Sequence, residues 1–245
     1  MNNQWKTAAV GGFIGAALAL VIVFAASSLD FLPVTSDSRI HAYLVSHPDL
    51  LVEMTDKLQQ QEEAKDQIKR QAAVDRLGLP KFFSPAVAFV TGPQNAKKTF
   101  VELFDYDCPY CRASLPAVEK YYNAHKNDVR FAFVEFPIKG DLSTMAAHVA
   151  VAARMQSDKY VAFHFALMGA KQFDEQAIYA AAKAAGLDVP KLMADMQDPS
   201  VDKQVAASLR LGQEAGIDGT PTFIINGKVH PGMVDDKTLK DLTQG

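Results

Sequence analysis

The chain has 245 residues, room for one domain of ordinary size plus an appendage, and 49% hydrophobic with 22% charged residues suits a packed core rather than a disordered polymer. A formal charge of −3 argues against a nucleic-acid partner held by phosphate contacts, which needs a basic excess. The two cysteines, Cys108 and Cys111, cannot build a disulfide framework, and closing so short a loop removes little unfolded-state entropy, so the pair points to chemistry rather than to a staple.

The N-terminal segment sets the compartment. No charged residue occurs between Thr7 and Leu29, and 23 helical residues would reach roughly 34 Å, enough to cross a bilayer. Lys6 precedes this run and Asp30 and Asp37 follow it, a bias that keeps the N-terminus cytoplasmic and exports the rest. Residues 1–33 are therefore expected to form a transmembrane anchor and linker. A cleaved signal peptide, cut near Ala25-Ala26-Ser27, is the other reading; the apolar run exceeds the 7 to 15 residues typical of a signal core, which favours the anchor.

Residues 34–80 read as a charged helical arm. Ile40, Leu44, His47, Leu51, Met54 and Leu58 alternate at spacings of four and three, and the seam continues through Gln61, Lys65, Ile68 and Ala72. Pro48 interrupts it, and residues 59–71 are almost all polar. Three readings fit: a solvated spacer, a self-association stalk across residues 40–72, or a helix that docks on its own domain.

Gly78, Pro80, Ser84 and Pro85 break helix propensity, so the folded domain is expected over 81–245. Ala86–Val90 and Thr99–Tyr106 read as strands, Pro109 to about His125 as a helix, and Val129–Phe136 as a third strand. Residues 141–215 are Ala-rich with helical spacing, broken at Gly186 and Pro190. Asn226-Gly227 predicts a hairpin between Thr222–Asn226 and Lys228–His230, and Asp235–Leu242 a closing helix.

The strand that runs into Cys108-Pro109-Tyr110-Cys111 places Cys108 at a helix N-cap and Pro109 at the first helical position, where its missing N–H costs nothing. The free amides and the positive end of the helix dipole favour a thiolate there, which makes Cys108 the expected nucleophile. Cys111, nearly one turn on, is placed to resolve a mixed disulfide. Asp107 adds an opposing negative charge. Zinc would need further ligands that the sequence does not supply nearby; two thiolates would suffice for Cu(I) as a secondary property. No metal and no cofactor is expected beyond the redox-active Cys108–Cys111 disulfide.

Cys108-Pro109-Tyr110-Cys111 after Phe100-Val101-Glu102-Leu103-Phe104-Asp105-Tyr106, with Gly219-Thr220-Pro221-Thr222-Phe223 about 110 residues later, resembles the DsbA-like branch of the thioredoxin superfamily. The charged arm and the Phe-Asp-Tyr lead-in are most similar to ScsC and Com1-type periplasmic proteins. The resemblance implies an α/β, thioredoxin-like fold with an inserted helical domain at about 141–215. It implies a cis Pro221 beside the reactive pair, a Thr220 backbone open to an extended client, and client contacts at Pro109 and Tyr110. It also implies that Glu102 is a buried acid that assists proton transfer at Cys111; an exposed strand position is the alternative, and Lys139 is a candidate neighbour. His148 and His164 are expected to be surface or packing residues.

The function so implied is thiol–disulfide exchange, as oxidase or isomerase, with exported proteins that carry free or mispaired cysteines. A membrane redox partner would reset the pair. The expected location is the bacterial inner membrane with the domain in the periplasm, or the soluble periplasm if the N-terminus is cleaved. A tethered copper- or client-binding protein, with Cys-x-x-Cys as ligand, is the reading from a different class.

Overall fold

The computed structural model describes residues 37–244. The expected membrane span, its cleavage site and most of the following linker lie outside the described residues. Within them no helix is long and apolar enough to cross a membrane. The chain divides into two compact units between Glu62 and Glu63.

The first unit holds helix α1 (Asp37–Ser46) and the start of α2 (Asp49–Leu77). Pro48 separates the two helices, as a residue without an amide donor should. Ile40, Leu44, Leu51, Met54 and Leu58 of the seam are all solvent-exposed.

In the second unit α2 docks on the domain through a face that the heptad pattern did not mark. Val74 is buried, Gln67, Arg70 and Gln71 are partly covered, and the seam residues Ile68 and Ala72 stay exposed. The docked segment therefore begins upstream of the boundary expected at residue 80. Gly78 ends the helix, and a short 3-10 turn (Leu79–Phe83) buries Phe82 and Phe83 under the sheet.

The sheet has five strands in the order β1-β3-β2-β4-β5: β1 (Phe89–Thr91), β2 (Lys98–Phe104), β3 (Val129–Glu135), β4 (Thr222–Ile225) and β5 (Lys228–Pro231). β2 and β3 run parallel, joined by α3 (Pro109–His125), and the other pairings are antiparallel. β1 is shorter than the sequence suggests and begins later. Pro85 and the hydrogen bonds of Val87 and Ala88 to the Ser84 carbonyl hold the preceding residues in a turn. Asn226 and Gly227 both take positive φ, 51° and 82°, the conformation that a two-residue hairpin turn demands.

Strand alternation sorts the core into two layers. Phe100, Phe104, Phe131, Phe133 and Phe223 pack under α3 and the inserted helices, whereas Val101, Leu103, Ala132, Val134 and Ile224 face Val74, Phe82, Leu211 and Ala215. The insertion between β3 and β4 comprises α4 (Asp141–Ala153), α5 (Ser157–Met168), α6 (Glu175–Ala184), α7 (Val189–Asp195) and α8 (Pro199–Glu214). Asp174, Asp188 and Asp198 cap three of these helices by accepting from the amides of Ala177, Lys191 and Ser200. α8 lies against Phe136, where a Cβ on Gly212 would stand 2.3 Å from the ring, so only glycine fits. Helix α9 (Asp236–Gln244) returns Leu239 to the first layer.

Candidate active site

β2 ends at Phe104, and the next three residues turn the chain into α3. Asp105, 1% exposed, organises that turn. Its carboxylate accepts from the amides of Ile138 (2.7 Å), Lys139 (2.9 Å) and Asp107 (2.8 Å) and from the Ser143 hydroxyl (2.6 Å). One buried side chain thus fixes the approach to Cys108, the loop after β3 and the start of the insertion. In the sequence Asp105 shows only as an acid set between Phe104 and Tyr106 in an apolar run.

Cys108 occupies the N-cap of α3 with extended backbone, and Pro109 opens the helix. Its amide donates to the Asp105 carbonyl, and its own carbonyl accepts the first helical bond, from Arg112. The Thr220–Pro221 peptide is cis, and the Cys108 thiol donates to the Thr220 carbonyl at 3.0 Å. Thr222, at the start of β4, pairs with Leu103 of β2, which is why two segments about 110 residues apart meet here. Cys108, Cys111, Thr220 and Pro221 therefore come together. Pro109 and Tyr110 flank them in solvent, Tyr110 being 63% exposed.

Both cysteines are free and nearly covered, each 1% exposed. Their environments push the thiols in opposite directions. A hydrogen bond with the Cys111 side chain, above all, holds Cys108 below the usual thiol range, at about 5, against burial. The amides of Cys111 and Tyr110 add to the lowering. Burial, followed by that same hydrogen bond to Cys108, pushes the Cys111 thiol far up, and the nearby Glu102 charge adds to it. Asp107 points to solvent and does not figure among the groups that shift Cys108.

Glu102 sits between Phe133 and Phe223 in the register and shares its face of β2 with Phe100 and Phe104, beneath α3. It is 2% exposed, and burial pushes its carboxyl up to about 8. Oxygen Oε2 has no hydrogen-bond partner. Of the two positions left open by the sequence, the structure takes the buried one. Lys139 is not its neighbour: that side chain is exposed, and only its amide enters the site, at Asp105.

His164 is a packing residue, 1% exposed, against Phe104, Phe133 and the Tyr106 hydroxyl, with burial pushing its imidazole down to about 3. His148 is partly exposed and pairs with Asp202. Nearby, Tyr160 donates to Glu135, which pairs with Arg154, and this buried polar group ties β3 to the insertion. Among the described residues no group of three or more His, Cys, Asp and Glu side chains is arranged to hold a metal ion.

A dithiol at a helix start, opposed by a cis-proline loop on the neighbouring strand of a mixed five-stranded sheet, defines the thioredoxin-like class. The Thioredoxin family pattern matches residues 86–244, and that of the copper resistance protein ScsC N-terminal domain matches residues 37–65. The chain belongs to the thioredoxin family, in its DsbA-like, ScsC-type branch.

Among solved structures, a thioredoxin-like oxidoreductase from Silicibacter pomeroyi DSS-3 is 40% identical, covering 66% of this chain and 93% of that one, with a TM-score of 0.60. A linker-deletion variant of Proteus mirabilis ScsC is 25% identical over 87% of this chain and 95% of that one, with a TM-score of 0.64. Among curated sequences, a Na(+)/H(+) antiporter NhaA from Herminiimonas arsenicoxydans is 26% identical over 155 residues, 63% of this chain. The chain spans only 25% of that antiporter's length.

Proposed function

We propose that the protein is a thiol–disulfide oxidoreductase that passes its Cys108–Cys111 disulfide to cysteines of exported proteins. The observation that carries this reading is the placement of the pair: Cys108 at a helix N-cap beside the cis Thr220–Pro221 peptide, with Cys111 buried one turn on, a setting that lowers the Cys108 thiol to about 5 and pushes the Cys111 thiol up. A thiolate that is stable at neutral pH stabilises the reduced form, and a stabilised reduced form makes the disulfide a good oxidant.

Each step uses a group already placed. A client thiolate attacks Cys108 Sγ, the Cys108–Cys111 bond breaks, and the electron pair leaves on Cys111. Glu102, protonated at neutral pH because its carboxyl lies at about 8, supplies the proton that Cys111 then holds. The client's second thiolate attacks its own sulfur in the mixed disulfide. Cys108 departs as a stable thiolate, leaving the client oxidised by two electrons and the enzyme reduced. Thr220 and Pro221 form the edge beside which an extended client segment lies, with Tyr110 and Pro109 at the rim. Cys108 is 1% exposed and its thiol donates to the Thr220 carbonyl, so client docking has to uncover the sulfur before it is attacked.

Oxidase action is the direction that the low Cys108 value favours. We place the domain in the bacterial periplasm, held by the apolar N-terminal segment as a membrane anchor, with a membrane redox partner re-oxidising the pair. The exposed apolar residues of α1 and α2, from Ile40 to Leu58, suit self-association of the arm.

Equilibration with glutathione tests the reading. At pH 7 a Cys108 thiol at about 5 instead of the ordinary 9 stabilises the dithiol roughly 100-fold, making the pair about 60 mV more oxidising than one of ordinary thiols. A potential as reducing as thioredoxin's, with no oxidation of a reduced two-cysteine peptide, would overturn the oxidase assignment.

A further inference from the structure

The outer edge of β5 is closed without a strand. In an antiparallel ladder every second residue turns its N–H and C=O away from its partner strand, and on β5 the residue that so presents both groups is Val229, Pro231 having no N–H. Two glutamines one helical turn apart on α2 take those groups. Gln71 accepts from the Val229 amide through Oε1 at 2.9 Å and donates through Nε2 to the Gly227 carbonyl at 2.9 Å, and Gln67 donates through Nε2 to the Val229 carbonyl at 2.6 Å. A primary amide carries the same donor and acceptor as a peptide group, so the pair completes the ladder as a strand would.

A third residue of the same helix reaches the segment that leads into the cis-proline loop. Arg70 pairs with Asp218 at 3.4 Å, and its stem lies against Gly216. From Asp218 the chain passes through Gly219 to Thr220, whose carbonyl receives the Cys108 thiol. From Val229 it passes through Pro231 to Gly232, whose amide donates to the Pro221 carbonyl at 2.8 Å. The helix thus touches the chain on both sequence flanks of the Thr220–Pro221 loop, at Gly216 and Asp218 before it and at Gly227 and Val229 after it.

We propose that residues 63–77 form a strap that stands in for a sixth strand, and that Gln67, Arg70 and Gln71 are positioning residues for the Thr220–Pro221 loop. Closure of the edge is independent of the oxidoreductase reading, whereas the positioning role rests on it. An uncovered β5 would present unpaired N–H and C=O groups, the usual template for pairing with another chain. Loosening the strand pair would blur the edge on which a client segment lies.

The test uses the full chain carrying Gln67→Ala and Gln71→Ala. Gln60→Ala with Gln61→Ala, on an exposed part of the same helix, is the control. Alanine favours helix, so loosening cannot come from propensity. Amide exchange at Val229 and Gly232 should accelerate about tenfold or more, with buried amides of α3 and α8 within about twofold of wild type. The KM for a reduced two-cysteine peptide should rise several-fold while kcat holds. Gln71→Glu keeps the acceptor for the Val229 amide and should retain much of its protection.

Unchanged protection at Val229 and Gly232, or acceleration of all amides together, overturns the strap. Local opening with an unaltered KM overturns the positioning role. A wild-type chain inert toward the peptide overturns the oxidoreductase reading and the positioning role with it, while amide exchange still decides whether the strap exists.

Discussion

Replacing Glu102 with glutamine should stabilise the protein, and by an amount that depends on pH. The carboxyl is 2% exposed, and burial pushes it up to about 8 in the fold, against an ordinary value of 4.5. A carboxyl whose folded value is raised contributes its full stability below the unfolded value. That stability is lost progressively as pH rises through the folded one, because the unfolded chain ionises first. At about 1.36 kcal/mol per pH unit, wild type gives up about 3 kcal/mol between pH 4.5 and 7, and the loss levels off above pH 8. Glutamine is uncharged in both states. The two unfolding curves should therefore nearly coincide at pH 4 and diverge until the variant leads by about 3 kcal/mol at pH 7, roughly 6 to 12 °C in Tm. Thermal unfolding of the oxidised protein across pH 4 to 9, with the thiols silent, reads this directly. A stability difference that stays constant with pH would refute the buried, protonated carboxyl and, with it, the proton source for Cys111.

Three further outcomes follow from the same geometry. Alkylation of reduced Cys108 should switch on with a midpoint near pH 5, and Cys111→Ala should raise that midpoint more than Cys111→Ser, which keeps a donor toward the sulfur. Asp105→Ala should cost about 3 kcal/mol or more in urea unfolding, since it leaves three backbone amides and the Ser143 hydroxyl without their acceptor. A chain beginning at Ser36 should sediment as an oligomer, and Leu51→Glu with Met54→Glu and Leu58→Glu should return it to a monomer. A monomer from the outset would sink the self-association of the arm.

The redox centre was legible because its chemistry is written locally: a strand, Cys108 and Pro109 at a helix start, and Cys111 one turn on. Helix α3 runs over the expected residues, and Asn226-Gly227 makes the expected turn. Glu102 was ambiguous because strand period alone does not say which face is buried. Register decided it, through Phe133 and Phe223 on either side. Docking of α2 on its own domain was among the readings that the sequence left open, but the face that docks was hidden for a different reason. Apolar periodicity drew attention to Ile68 and Ala72, whereas the contact with β5 is made by glutamine amides, and no hydropathy pattern marks a polar surface that hydrogen-bonds a sheet edge. Asp105 was passed over because its partners, at Ile138, Lys139 and Ser143, lie more than thirty residues away and are brought to it only by folding.

The most direct test of Cys108 as the exchanging sulfur is to trap it in the act. The Cys111→Ser protein, reduced and then mixed with a disulfide-bonded client peptide, should accumulate a mixed disulfide that peptide mapping assigns to Cys108 and that dithiothreitol releases. Absence of that adduct, in a folded variant whose Cys108 still alkylates, would contradict the account.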